Sequence, residues 1–159
     1  MSLATADLYD QYGEALQIAA PIFRDYGGDI AFEGTVVTLK VFEDNSLVRS
    51  ALEEPGDGRV LVVDGGGSLR CALVGDMLAE LGRKNGWAGI VVYGCVRDAE
   101  VMSKMSIGIK ALATNPRKSV KKGDGTRDVT LRFADLVVEA GQYLYADRDG
   151  IVIAKHKLD

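Results

Sequence analysis

The stretch Ile90 to Glu100, "IVVYGCVRDAE", ends an apolar run on a cation and carboxylates: Arg97, Asp98 and, just beyond, Glu100. A second apolar run, "RVLVVDGGG", ends at Asp64 and Gly65-Gly66-Gly67. An arginine presents a planar fork that matches a substrate carboxylate. A carboxylate such as Asp98 offers oxygen to a divalent cation, whose remaining positions go to water or substrate oxygen. Backbone N–H groups of Gly75, Asp76, Met77 and Leu78 can hold the same anion if a helical turn begins there. Such a set can neutralise charge that develops on a keto oxygen as an enolate forms. Asp76 or Glu100 would then move a proton, directly or through water.

These residues need a scaffold. Val60–Val63 and Ile90–Tyr93 read as all-apolar strands. Between them, Ala72 to Asn85 carries Leu73, Met77, Leu78 and Leu81 at helical spacing, and Gly86 ends the run. Apolar strands flanking a helix predict a parallel pair covered on both faces. Ligands collect beyond the carboxyl ends of such strands. If the two strands are neighbours, both ends face one crevice, glycine loop included. Upstream, Thr5 is expected to cap a helix through Tyr12, Gly34–Phe42 to form a strand, and Asp44 or Asn45 to cap a helix over Ser46–Glu53. Downstream, "IGIKALATN", "DVTLRF", "DLVVEA", "QYLYAD" and "GIVIAKH" are short and strand-like, with Arg148-Asp149-Gly150 as a tight hairpin turn. The expected architecture is α/β: one domain over 1–159, a mixed sheet, a central strand–glycine loop–helix–strand unit and a β-rich C-terminal half.

Composition narrows the function classes. The chain has 159 residues, 47% hydrophobic, with a net charge of −4. That balance argues against coating nucleic acid and for a cytoplasmic protein. No stretch approaches the ~18 apolar residues of a membrane span. The opening "MSLATADLYDQYG" has acids and no apolar run, unlike a signal peptide. Cys71 and Cys95 read as reduced, packed thiols. His156 follows the last strand and reads as a surface residue, Trp87 packs between helix and strand, and Tyr143 and Tyr145 share one strand face. The cluster Arg117, Lys118, Lys121, Lys122 reads as a solvated loop before an acid-binding one. Taken singly, Arg97-Asp98 is more often a weak surface ion pair, the glycine run a turn, and Glu100 a first-turn helix acid.

The whole pattern resembles the regulator of ribonuclease activity A family, which includes class II 4-hydroxy-4-methyl-2-oxoglutarate/4-carboxy-4-hydroxy-2-oxoadipate aldolases. The matching stretches are "TADLYD", "DYGGDIAFEGTVVTLKVFEDN", "GRVLVVDGGGSLRCALVGDMLAELGRKNGWAGIVVYGCVRD", "IGIKALATNP" and "YLYADRDGIVIA". The aldolase branch carries an Asp, twenty residues, then Arg-Asp; Asp76, Met77 to Val96, and Arg97-Asp98 repeat it. The resemblance implies swivelling-domain-like α/β/β layers. It implies that Asp98 holds a magnesium or manganese ion, Arg97 the substrate carboxylate, and Gly75–Leu78 the substrate through backbone amides, with Asp76 handling protons. The implied reactions are cleavage of 4-hydroxy-4-methyl-2-oxoglutarate to two pyruvates and decarboxylation of oxaloacetate. Both pass through a pyruvate enolate. No lysine stands in the motif to argue for a Schiff base. The resemblance also implies a homotrimer, or a hexamer of two. A second implied role is inhibition of ribonuclease E by protein binding, without catalysis. A phosphohistidine carrier fits poorly, since His156 lies outside the glycine loop.

Overall fold

The computed structural model describes residues 4–158. The chain runs through α1 (Thr5–Tyr12), a 3-10 turn (Gly13–Ala15), β1 (Gln17–Ile18), β2 (Arg24–Asp25), β3 (Phe32–Lys40), α2 (Ser46–Leu52), β4 (Val60–Asp64), β5 (Ala72–Val74), α3 (Asp76–Lys84), β6 (Gly89–Val96), α4 (Ala99–Met102), β7 (Gly108–Thr114), β8 (Thr126–Arg127), β9 (Leu131–Phe133), β10 (Leu136–Val138), β11 (Tyr143–Asp147) and β12 (Gly150–Ala154). The main sheet has the order β1-β12-β11-β3-β4-β6-β7-β2. Its centre, β3-β4-β6-β7, is parallel, and its flanks are antiparallel. The fold is therefore α/β with a mixed sheet, as the sequence predicts.

Every residue of β4 is buried, because this strand is covered on both faces. Its side chains alternate between two cores. Leu61 and Val63 meet Val48, Ala51 and Leu52 of α2 and Leu78 and Ala79 of α3. Val60 and Val62 meet Leu131, Phe133, Leu136 and Val138 of the β9–β10 hairpin. Each such fully buried aliphatic side chain contributes about 1.5–3 kcal/mol. Helices thus cover one face and a hairpin the other, which gives α/β/β layers. On the hairpin side, Phe32 lies flat over Gly89 and Gly108, whose missing Cβ atoms would sit 2.3 and 2.0 Å from its ring. A smaller cluster seats α1 through Leu8 against Tyr145 and Val152.

Three local expectations shift. The apolar run starting at Ala72 does not begin a helix: Ala72–Val74 is a strand beside β6, and α3 starts only at Asp76. Leu73 is accordingly buried as a strand residue, while Met77 is 72% exposed and leaves the helix's packed face. Thr5 is the first residue of α1, not its cap; its N–H and hydroxyl donate to Asp147. The predicted strand Gly34–Phe42 sits two residues earlier, at Phe32–Lys40. By contrast β4 and β6 are parallel neighbours, Gly86 follows α3 with a positive φ, and β11 turns into β12 at Arg148-Asp149. Trp87 is buried, and the Tyr143 and Tyr145 rings lie 4.9 Å apart on one face.

Candidate active site

The short strand β5 is what assembles the site. It pairs with the carboxyl end of β6, Ala72 opposite Cys95 and Val74 opposite Val96. The Arg97 N–H donates to the Val74 carbonyl at 2.9 Å. Gly75, which caps α3, therefore lies directly against Arg97-Asp98. Asp98 adopts a left-handed conformation, φ 60° and ψ 39°, which aspartate tolerates better than most residues. The turn folds its carboxylate back onto α3: Asp98 Oδ2 accepts the Asp76 N–H at 3.0 Å. An anion at a helix N-terminus is stabilised by the unsatisfied N–H groups of the first turn. Glycine at position 75 lets the two come this close, since a Cβ there would sit 2.6 Å from Asp98 Oδ2 and 3.3 Å from Arg97 Cγ and would push the carboxylate away.

A cleft of about 90 Å³ opens here, and Gly75, Asp76, Met77, Leu78, Arg97 and Asp98 all line it. The structure thus brings together every residue singled out for substrate and metal. The Leu78 side chain is buried, so only its backbone can face a ligand. Arg97 makes no ion pair with Asp98. Its guanidinium reaches the Pro116 carbonyl through Nη1 at 3.3 Å and keeps other donors. Asp98 Oδ1 has no hydrogen-bond partner among the described residues. One exposed carboxylate oxygen beside open space suits a hard dication that takes most of its shell from water and substrate. It does not suit zinc: among the described residues no three His, Cys, Asp or Glu side chains converge on a metal position.

The glycine loop behaves differently from its expectation. The N–H groups of Gly65 and Gly67 donate to the Tyr93 carbonyl, and that of Gly66 to Asp64 Oδ1. Asp64 and Gly66 border a separate groove with Phe42 and Arg132. The glycine backbone in the cleft is Gly75 instead. β5 intervenes between the loop and the helix, and so separates the two. Glu100 is an exposed first-turn residue of α4 outside the cleft.

Sequence spacing gives the remaining lining only local roles, or none. Asn45, Arg49, Lys118, Ser119 and Lys121 also line the cleft, with Ala72 and Leu73 of β5. Lys118 and Lys121 belong to the loop that reads in sequence as solvated, outside the motif, yet they line the cleft. Both are exposed, unlike the desolvated amine a Schiff base favours. Asp44, buried beside Ser46, anchors this loop. It accepts the Ser46 hydroxyl and N–H and the N–H groups of Lys122 and Asp124. Burial raises its carboxyl pKa, but these bonds outweigh burial and hold it at about 2. Parallel bridges Asp44–Val120 and Ala72–Lys118 complete the fastening. Lys121 Nζ donates to Asn45 Oδ1 at 3.2 Å, and Asn45 Nδ2 to the Leu73 carbonyl at 3.1 Å. Cys71 and Cys95 are buried free thiols, and burial pushes both upward in pKa, away from nucleophile behaviour. His156 is exposed, as expected.

Comparison with known proteins places the chain in a family. Residues 5–153 match the family described as RraA-like, aldolase/RraA. The chain belongs to the RraA-like family. A relative from Alkalilimnicola ehrlichii named "putative 4-hydroxy-4-methyl-2-oxoglutarate aldolase" is 60% identical over 158 residues, covering 99% of this chain and 98% of the relative. Two solved structures are equally near in shape. An RNA-processing inhibitor RraA from Thermus thermophilis matches with TM-score 0.96 and 47% identity, covering 100% of this chain and 96% of that one. A protein from Geobacillus kaustophilus named S-adenosylmethionine: 2-dimethylmenaquinone methyltransferase matches with TM-score 0.96 and 49% identity, covering 98% and 97%. Among the described residues no helix is long and apolar enough to cross a membrane.

Proposed function

We propose that this RraA-like protein is a divalent-metal-dependent lyase that cleaves 4-hydroxy-4-methyl-2-oxoglutarate to two pyruvates, and decarboxylates oxaloacetate through the same pyruvate enolate. One observation carries the reading: the Asp98 carboxylate sits on the Asp76 N–H beside Arg97, across Gly75. The name carried by relatives such as the Alkalilimnicola protein supports the choice of substrate.

In the retro-aldol step the C4 hydroxyl gives up its proton, the C3–C4 bond breaks, and one pyruvate leaves. The other half remains as pyruvate enolate and takes a proton at C3. The Arg97 fork holds the C1 carboxylate and faces the keto oxygen, where negative charge grows. The N–H groups of Met77 and Leu78, free in the first turn of α3, hold the same carboxylate. Asp76, at the cleft wall, moves the protons through water. Asp98 would hold magnesium or manganese, which when bound would supply neutralisation of the enolate charge. In oxaloacetate the bond to the departing carboxylate breaks instead and leaves the same enolate.

The test is pyruvate release from both substrates with Mg²⁺, with Mn²⁺ and with chelator. Metal-dependent release well above a protein-free control, lost in Asp98→Ala, is the expected result. Equal rates with and without protein would sink the reading.

A second reading draws on the likeness to the Thermus RNA-processing inhibitor. The chain would bind ribonuclease E as a protein partner and inhibit it without catalysis. Binding that survives Asp98→Ala and weakens with salt would mark it. The assembly proposed for either role is a homotrimer, or a hexamer of two, which sedimentation would distinguish. The buried free thiols suit a reducing cytoplasm.

A further inference from the structure

The cleft carries more positive charge than one carboxylate needs. Arg49, Arg97, Lys118 and Lys121 face Asp76 and Asp98, a surplus of two positive charges on a chain whose net charge is −4. Arg97 is accounted for by the first carboxylate. Arg49 and Lys118 have neither an ion pair nor a side-chain hydrogen bond among the described residues, and Lys121 meets only the neutral Asn45. Ser119 stands between the lysines. It is 6% exposed, and its buried hydroxyl has no hydrogen-bond partner among the described residues. Buried hydroxyls are rarely left so, because each costs stability. The orphan hydroxyl and the unpaired cations lie in one wall of one cleft, fastened there by Asp44. That wall is a second, independent feature pointing to an anion.

Size points the same way. At about 90 Å³ the cleft holds the volume of roughly three waters, enough for the pyruvate half of a substrate only. The distal half must reach past it toward solvent, and the three cations of the lining, Arg49, Lys118 and Lys121, are all exposed to solvent.

We propose that Arg49, Lys118, Ser119 and Lys121 form a second carboxylate subsite, which makes the protein selective for 2-oxo dicarboxylates over 2-oxo monocarboxylates. This rests on the lyase reading for the placement of the first carboxylate at Arg97. It also orders the two reactions. In the hydroxy diacid the second carboxylate is retained through bond cleavage, so the cations hold it in ground and transition states alike. In oxaloacetate the second carboxylate is the leaving group, so cations there favour the ground state and speed nothing. The subsite therefore belongs to the aldol substrate.

The test is calorimetric binding in magnesium chloride, with 2-oxoglutarate as the diacid and pyruvate as the monoacid. 2-Oxoglutarate lacks the C4 hydroxyl and cannot undergo the retro-aldol step. The wild type is expected to bind it about tenfold tighter than pyruvate, the scale of one charge-assisted hydrogen bond. In Arg49→Ala/Lys118→Ala that ratio is expected to collapse toward one, and Ser119→Ala to lower it by about threefold. All three side chains can be truncated without breaking an intramolecular bond. A wild type without diacid preference, or a double variant that keeps it, overturns the proposal. The lyase reading is scored separately by pyruvate release from the wild type. Preference without turnover upholds the subsite and removes the lyase; turnover without preference does the reverse.

Discussion

Replacing Gly75 by alanine separates function from folding in this protein. At φ −128° and ψ −166° the backbone is extended and open to any residue. The obstacle is the added Cβ, 2.6 Å from Asp98 Oδ2. To reach an ordinary 3.4 Å contact the carboxylate must retreat by about 0.8 Å. It then loses the Asp76 N–H and moves away from the position proposed for the metal. A displacement near 1 Å costs about 100-fold in rate, or about 2.7 kcal/mol of transition-state stabilisation. Folding changes far less. The lost charge-assisted bond costs about 1.5 kcal/mol, and the smaller unfolded-state entropy of alanine returns about 0.4–1 kcal/mol. The net, under about 1 kcal/mol, is a Tm shift of roughly 2–4 °C at most. Pyruvate release with Mg²⁺ and thermal unfolding should be measured on the same sample. A variant with wild-type kcat/KM would refute the role given to Asp98. A Tm loss beyond about 8 °C would mean that the site cannot be separated from the fold.

Other perturbations test other parts. Arg97→Lys keeps the charge but loses the fork, and kcat/KM should fall about 10- to 100-fold with little change in Tm. Asp44→Asn removes the anchor of the basic loop and should cost about 2 kcal/mol in urea unfolding. Because the folded Asp44 carboxyl is held at about 2, below its usual 3.8, its stabilisation is complete above that usual value and is lost as pH falls through about 2. The wild type should therefore lose urea stability over that acid window more steeply than Asp44→Asn. Gly108→Ala drives a Cβ to 2.0 Å from the packed Phe32 ring and should cost about 2 kcal/mol, read as a lower urea midpoint at unchanged m. Asp25→Ala strips the buried Lys110 ammonium of its 2.9 Å carboxylate and leaves it only the Asp147 carbonyl, which should cost about 2 kcal/mol by the same assay.

The sequence by itself determined the central strands, because β4 and β6 are buried on both faces and their apolar runs are unbroken. It also placed Arg97-Asp98 directly after β6, but it began the helical run at Ala72, four residues before Asp76. Two things were decided only by tertiary structure. One is the status of Ala72–Val74. Three apolar residues fit a helix or a strand equally well in sequence; pairing with the end of β6 settled it and exposed Met77. The other is the wall of the cleft. Lys118, Ser119 and Lys121 are far in sequence from Arg97 and lie in a loop with no periodicity. They reach the site because the buried Asp44 carboxylate gathers backbone N–H groups from that loop and from the start of α2. Local spacing cannot encode such a contact, because it depends on where the chain returns after many intervening residues.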